Sequence, residues 1–193
     1  MIEILKAQNY KKMPWKNGLG FTSEVARSDC LDKEDFQWRI SIADVLTDGE
    51  FSYFAGKHRI ISVLKGEGIH LDVDQNMAVT LHSRDVFNFD GASQVYCKLI
   101  ENPICDLNLI YQPEKLAPRF QWINSIDQHS ILTAADFIFI LNISDELQID
   151  IQHQYYSLAA LDCLKITKKN ALTQIQFPQK TVKKCCLIEL FLR

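Results

Sequence analysis

The feature that most limits what this chain can become is a period of two in its apolar residues. It is carried by short segments and written out twice. Phe36-Gln-Trp-Arg-Ile-Ser-Ile-Ala43 puts Trp38, Ile40 and Ile42 on one face of a strand and Arg39, Ser41 and Ala43 on the other, because strand side chains alternate. Ile60–Leu64, Ile69–Val73, Met77–Leu81, Val95–Ile100 and Leu107–Tyr111 are also short, apolar and rich in β-branched residues. Asp, Gly, Asn and Pro punctuate them. Helical three-four spacing is weak throughout, with only brief turns expected near 32–35 and 132–136. The chain reads as all-β.

The second writing follows at a near-constant offset. Ile69-His-Leu-Asp-Val-Asp74 matches Leu147-Gln-Ile-Asp-Ile-Gln152, and the preceding Ile60-Ile-Ser-Val-Leu64 matches Ile138-Phe-Ile-Leu141 at the same offset. Val79-Thr-Leu81 and Asp85-Val-Phe87 then match Tyr156-Ser-Leu158 and Asp162-Cys-Leu164 after a one-residue deletion. Short strands at regular spacing, repeated, predict two cupin-like or jelly-roll barrels packed in one chain. Residues 1–113 would form the first and 114–193 the second, the join falling at Pro113–Pro118, where the strand pattern breaks. The first copy keeps Gly66, Gly68 and most chemically distinctive residues, while the second has Asn142-Ile-Ser-Asp145 in their place. One site is therefore expected, in the first copy.

A net charge of −3 and a pI near 5.9 argue against a nucleic-acid partner, which needs a basic face. No apolar run reaches the roughly 20 residues that cross a bilayer. The start lacks a charged n-region followed by an apolar h-region, so a cytoplasmic address is expected. Six scattered cysteines without a Cys-x-x-Cys pair read as small buried apolar residues.

Chemistry concentrates in residues 14–24, Pro-Trp-Lys-Asn-Gly-Leu-Gly-Phe-Thr-Ser-Glu. Gly18 and Gly20 permit a tight turn or a close backbone approach. Lys16 and Asn17 offer donors, and Thr22 and Glu24 share one strand face. Such a segment suits either a polar ligand site or a glycine turn before a first strand. Arg39 stands mid-strand, where an inward guanidinium needs an anion: Glu24 or Asp106 from within, or a ligand carboxylate. Arg59 is a second candidate, and Asp106-Leu-Asn108 sets a carboxylate and an amide on one face.

Other chemistries find less support. The five histidines include no His-x-His pair. His70-Leu-Asp72-Val-Asp74 reads as a solvent-facing stripe opposite the core residues Ile69, Leu71 and Val73. No metal and no other cofactor are expected. There is no Gly-x-Ser-x-Gly elbow and no phosphate-binding glycine loop. Glu24 would serve as a general base if desolvation raised its pKa.

Together these pieces resemble the HutD/Ves family of bacterial cupin-fold proteins. The matching residues are Met13-Pro-Trp-Lys-Asn-Gly-Leu-Gly-Phe-Thr-Ser-Glu24, Phe36–Ala43, Phe51-Ser-Tyr-Phe-Ala-Gly56, Arg59, Val63-Leu-Lys-Gly-Glu-Gly68 and Asp106-Leu-Asn-Leu109. Leu19, Ala55 and His58 depart from the usual pattern. The resemblance implies a two-barrel protein without the standard metal ligands. It also implies binding of a small acidic metabolite, with a regulatory part in histidine utilisation or stress response. Arg39 and Arg59 would be anion partners, with Lys16, Asn17, Ser41 and Asn108 as hydrogen-bonding groups, Thr22 and Glu24 as wall, and Trp15 at the mouth. A homodimer is compatible with this reading. Two rivals remain: a lyase, isomerase or hydrolase using Glu24 or a metal held where His58 and His70 converge, and a non-catalytic interaction protein.

Overall fold

The computed structural model describes residues 1–15, 20–29, 36–125, 130–168, 172–178 and 183–193. Among them the chain is built of antiparallel strands, and its one helical element is the three-residue 3-10 turn Ala7–Asn9. The turn expected near 132–136 is a bend at Asp136 that follows the strand Ser130–Thr133. The one expected near 32–35 lies outside the described residues, as do Cys30 and His129.

Two compact units result, Tyr10–Glu114 and Met1–Asn9 with Lys115–Arg193. The first contains a six-stranded sheet in the order Lys11–Pro14, Gly20–Arg27, Trp38–Val45, Ile104–Tyr111, His58–Lys65, Val86–Asp90. A four-stranded sheet, in the order Gly49–Glu50, Val95–Leu99, Ile69–Val73, Met77–Leu81, completes it. Ile61 and Val63 from the large sheet and Ile69, Leu71, Val73 and Cys97 from the small one share a single core. Each such buried aliphatic side chain contributes about 1.5–3 kcal/mol of transfer free energy. The strand Ile69–Val73 alternates as expected, with His70 and Asp72 facing water.

The second unit repeats the plan. Its five-stranded sheet runs Ile2–Leu5, Cys163–Thr167, Phe137–Asn142, Lys183–Leu192, Leu116–Ser125, and its four-stranded sheet runs Ser130–Thr133, Thr173–Gln176, Glu146–Ile151, Gln154–Ala159. Its core joins Ile138, Ile140 and Leu187 to Leu147, Ile149 and Ile175. Ile2 and Ile4 pack on that core, and their strand pairs with Cys163–Thr167. The expected first domain of 1–113 therefore loses residues 1–9, which go with Lys115–Arg193. Ile2–Leu5 reaches that unit by pairing with Cys163–Thr167, and nothing local in the sequence identifies so distant a partner.

The duplication survives in backbone detail. The hairpin turns Asp74–Gln75 and Gln152–His153 both hold two residues at positive φ, between 54° and 63°. The next turns place Arg84 and Leu161 at positive φ, 68° and 63°. In each, an aspartate carboxylate accepts from the backbone three residues before it: Asp85 from His82 N at 2.8 Å, and Asp162 from Ala159 N at 3.2 Å.

Candidate functional site

Three neighbouring strands of the large sheet in unit Tyr10–Glu114 turn a polar row inward. Register aligns Ala43 with Asp106 and Val63, Ser41 with Asn108 and Ile61, and Arg39 with Ile110 and Arg59. Period-two alternation then puts all nine side chains on one face, and Thr22 joins them through its pairing with Ala43. A cavity of about 430 Å³ opens on this face. It is lined by Trp15, Thr22, Arg39, Ser41, Arg59 and Asn108 of the expected residues. Glu50, Phe51, Ser52 and Phe54 close another side.

Close backbone contacts fix these walls. A Cβ on Gly20 would run into the Asp44 carbonyl and come within 3.2 Å of the Trp15 ring, so glycine lets the indole lie against the strand. Trp15 Nε1 donates to Thr22 Oγ1 at 2.8 Å, which orients the ring at the cavity edge. The segment after Gly49–Glu50 is tied down by Phe51 N donating to Val95 O at 2.9 Å and Phe54 N donating to Gly91 O at 2.7 Å. Gly91 permits that approach, since a Cβ there would sit 2.7 Å from the carbonyl oxygens of Phe54 and Lys57.

The two arginines differ in what they hold. Arg59 is buried, and its Nε and Nη2 both donate to Asn108 Oδ1, at 2.8 and 2.6 Å. Asn108 Nδ2 in turn donates to Asp106 Oδ1. The guanidinium of Arg59 lies 4.3 Å from the Phe51 ring centroid and 5.5 Å from that of Phe89. Burial lowers its pKa to about 10 against the opposing pull of Asp106, so it stays a cation at neutral pH. Asp106 is fully buried, and desolvation raises its pKa to about 6 although Arg59 and Asn108 favour the charged form. Its Oδ2 has no hydrogen-bond partner.

Arg39 has no such chain. Its guanidinium lies about equally near the rings of Phe36 and Phe54, 5.0 and 5.1 Å from their centroids. Cation–π contacts of this kind are worth about 0.5–2 kcal/mol each. Its Nε is buried without a hydrogen-bond partner among the described residues. Desolvation lowers its pKa, and the Glu24 charge opposes that shift from a distance. Neither internal anion weighed for Arg39 bonds to it: Glu24 pairs with Arg27 at 3.9 Å, and Asp106 engages Asn108.

Glu24 pairs in register with Ser41 but is not part of the cavity lining, so the wall and general-base roles considered for it find no geometry here. Lys16 and Asn17 lie outside the described residues. His58 and His70 do not converge: His58 packs edge-on against Tyr111 at 5.9 Å, while His70, on the other sheet, bonds Thr80 at 2.8 Å. Among the described residues no cluster of three His, Cys, Asp or Glu side chains forms. Burial raises the thiols of Cys97 and Cys105 to about 12, which makes them poor nucleophiles. Sequence reasoning missed Phe36, Phe51, Phe54 and Glu50 as site residues. Phe51 and Phe54, set between Gly49 and Gly56, were the available signal for two of them, and Phe36 and Glu50 carried none.

Comparison with known proteins agrees with this architecture. The family model described as HutD matches residues 7–187. A Pseudomonas putida protein, named as an uncharacterized 21.2 kDa protein in the hutC 3′ region, is 37% identical over 193 residues, covering 100% of this chain and 98% of its own. The crystal structure of a conserved protein of unknown function from Pseudomonas aeruginosa superposes with a TM-score of 0.90 at 38% identity, covering 99% of each chain. The structure of HutD from Pseudomonas fluorescens superposes at 0.86 with 37% identity, covering 100% of each. More distant solved structures, at 12%, 7% and 8% identity with TM-scores of 0.63, 0.71 and 0.65, share the cupin-like fold alone.

Proposed function

This chain belongs to the HutD family, and from that premise and the chemistry of the cavity we propose that it binds a small carboxylate-bearing metabolite without a metal and serves regulation linked to histidine utilisation. The observation that carries the reading is Arg39: a cation in a cavity of about 430 Å³, flanked by two phenyl rings, with a buried Nε that bonds to none of the described residues. A buried donor left unmade costs about 1–3 kcal/mol, which a ligand oxygen would recover. Arg59 adds positive potential, while Ser41, Thr22 and Asn108 offer hydrogen bonds and the aromatic walls exclude water. The name of the Pseudomonas putida relative places that protein near hutC, which supports the pathway part of the reading.

Calorimetry with formylglutamate, glutamate, urocanate and histidine tests it. At least one acid should bind the wild type, and Arg39→Ala should weaken it about 10- to 100-fold, the equivalent of a charge-assisted hydrogen bond of about 1.5–3 kcal/mol. Equal heats for both proteins would remove Arg39 from the site.

A further inference from the structure

The duplication supplies an internal picture of how the cavity is filled. The turn landmarks Asp85 and Asp162 set the following strands in correspondence, Val86–Asp90 with Cys163–Thr167. Phe89 then corresponds to Ile166, and register carries the match inward. Phe89 pairs with Arg59, Arg59 with Ile110, and Ile110 with Arg39. Ile166 pairs with Ile138, Ile138 with Glu189, and Glu189 with Arg119. Arg119 therefore occupies in one unit the position that Arg39 occupies in the other, and Glu189 stands where Ile110 stands.

The two arginines are in opposite states. Arg119 donates from Nε to Glu189 Oε2 and from Nη2 to Oε1, the latter at 2.6 Å, a side-on fork on a fully buried carboxylate. At Arg39 the carboxylate-bearing residue is replaced by isoleucine, and Nε is buried and unpaired. Arg59 differs again, because its Nε–Nη2 edge is already spent on Asn108. Among the described residues, Asp106 offsets Arg59 through Asn108, whereas Arg39 has no bonded carboxylate and feels Glu24 only from a distance. Glu50 at the rim is exposed to solvent. Lys57, whose Nζ also lies over Phe36, is not in the lining.

Resting on the function proposed above, we infer that the ligand presents one carboxylate, seated side-on on the Nε–Nη2 edge of Arg39 as Glu189 sits on Arg119, and that Arg59 is a positioning residue. The carboxyl-terminal unit is then a copy of the site that carries its own occupant.

The test uses the full chain, with the arginine Nε–H signals followed by NMR and with butyrate and succinate as probes. In the free protein Arg119 should show a protected, carboxylate-bonded Nε–H and Arg39 should not. Butyrate should move the Arg39 signal and leave that of Arg119 in place, and succinate should bind no more than about twofold tighter, its statistical advantage. Ile110→Glu should give Arg39 a signal like that of Arg119 and weaken butyrate at least tenfold, with a smaller loss for Ile110→Gln, whose uncharged amide competes less well for the guanidinium. Arg39→Lys keeps the charge without the fork and should also lose tenfold, which covers the case of an Ile110→Glu chain that does not fold. If butyrate binds but moves Arg59 Nε–H and not that of Arg39, or if succinate gains tenfold, this inference fails while carboxylate binding stands. If no carboxylate binds the wild type, both fall.

Discussion

Asp106 is where the site meets pH. Its carboxyl is fully buried and bonded to Asn108, with Oδ2 unpaired, and desolvation lifts its pKa to about 6 from an ordinary 3.8. A raised carboxyl pKa means that the folded chain holds the proton more tightly than the unfolded one. The contribution of this group is therefore fully present below about pH 4 and is lost as pH rises through about 6. The size is about 3 kcal/mol for a shift of this extent. Denaturant unfolding at intervals from pH 4 to pH 7 should show the wild type losing stability relative to Asp106→Asn across that window, because the variant has nothing to titrate there. A constant difference between the two proteins would place the Asp106 carboxyl in an ordinary environment. At this scale the sequence revealed residue types and faces: Arg39, Ser41, Thr22, Arg59 and Asn108 all line the cavity. It did not reveal pairing, since whether Asp106 serves Arg39 or Arg59 depends on which strand lies across from Ile104–Tyr111 and how far Asn108 reaches between them.

Among the elements, the hairpin turns show how much of a repeat survives sequence divergence. Asp74–Gln75 and Gln152–His153 share no residue identity, yet both adopt the two-residue left-handed geometry that twisted antiparallel strands demand. A side chain in that region crowds the following carbonyl at a cost of about 1–2 kcal/mol, which glycine avoids. Part of the gain is offset by the extra freedom that glycine has when unfolded, about 0.5–1 kcal/mol. Gln75→Gly should thus raise stability by about half a kcal/mol. Asp74 is best left in place, because its Oδ1 accepts from Gln94 N at 2.8 Å. Thermal melts would check this, and a lower midpoint would contradict it. The repeat also shows the limit of matching by residue type. Aligning Ile60 with Ile138 at the hairpin's offset puts Ile60 on the core face, yet the core residues are Ile61 and Val63 in one unit and Ile138 and Ile140 in the other. A slip of one residue exchanges the two faces of a strand, and both faces of His58–Lys65 are apolar enough to hide it.

For the molecule as a whole, the two units differ in what completes them. Unit Tyr10–Glu114 is contiguous, whereas the other closes its large sheet with a strand from the opposite end of the chain. Ile2–Leu5 adds an edge strand beside Cys163–Thr167 and lays Ile2 and Ile4 on the core. Lys6 Nζ donates to Asp162 Oδ2 at 2.8 Å, and Ala7 N donates to Asp162 Oδ1 at 2.9 Å. Both bonds hold the carboxylate of the turn that corresponds to the one at Asp85. Period and punctuation made the fold class and the repeated strand order legible. A pairing between residues 2–5 and 163–167 leaves no local trace, because any exposed strand edge accepts any strand of suitable alternation. Deleting residues 1–7 should strip two half-buried isoleucines and an edge ladder from one unit alone. Burial of that size is worth about 2–4 kcal/mol. Hydrogen exchange should then show faster exchange at Cys163–Thr167 and Phe137–Asn142, with the amides of Trp38–Val45 and Ile104–Tyr111 keeping their protection and the carboxylate affinity of the cavity unchanged. Faster exchange in the strands around Arg39, or loss of binding with them, would mean that the site depends on the amino-terminal strand and that the two cores do not stand as separate units.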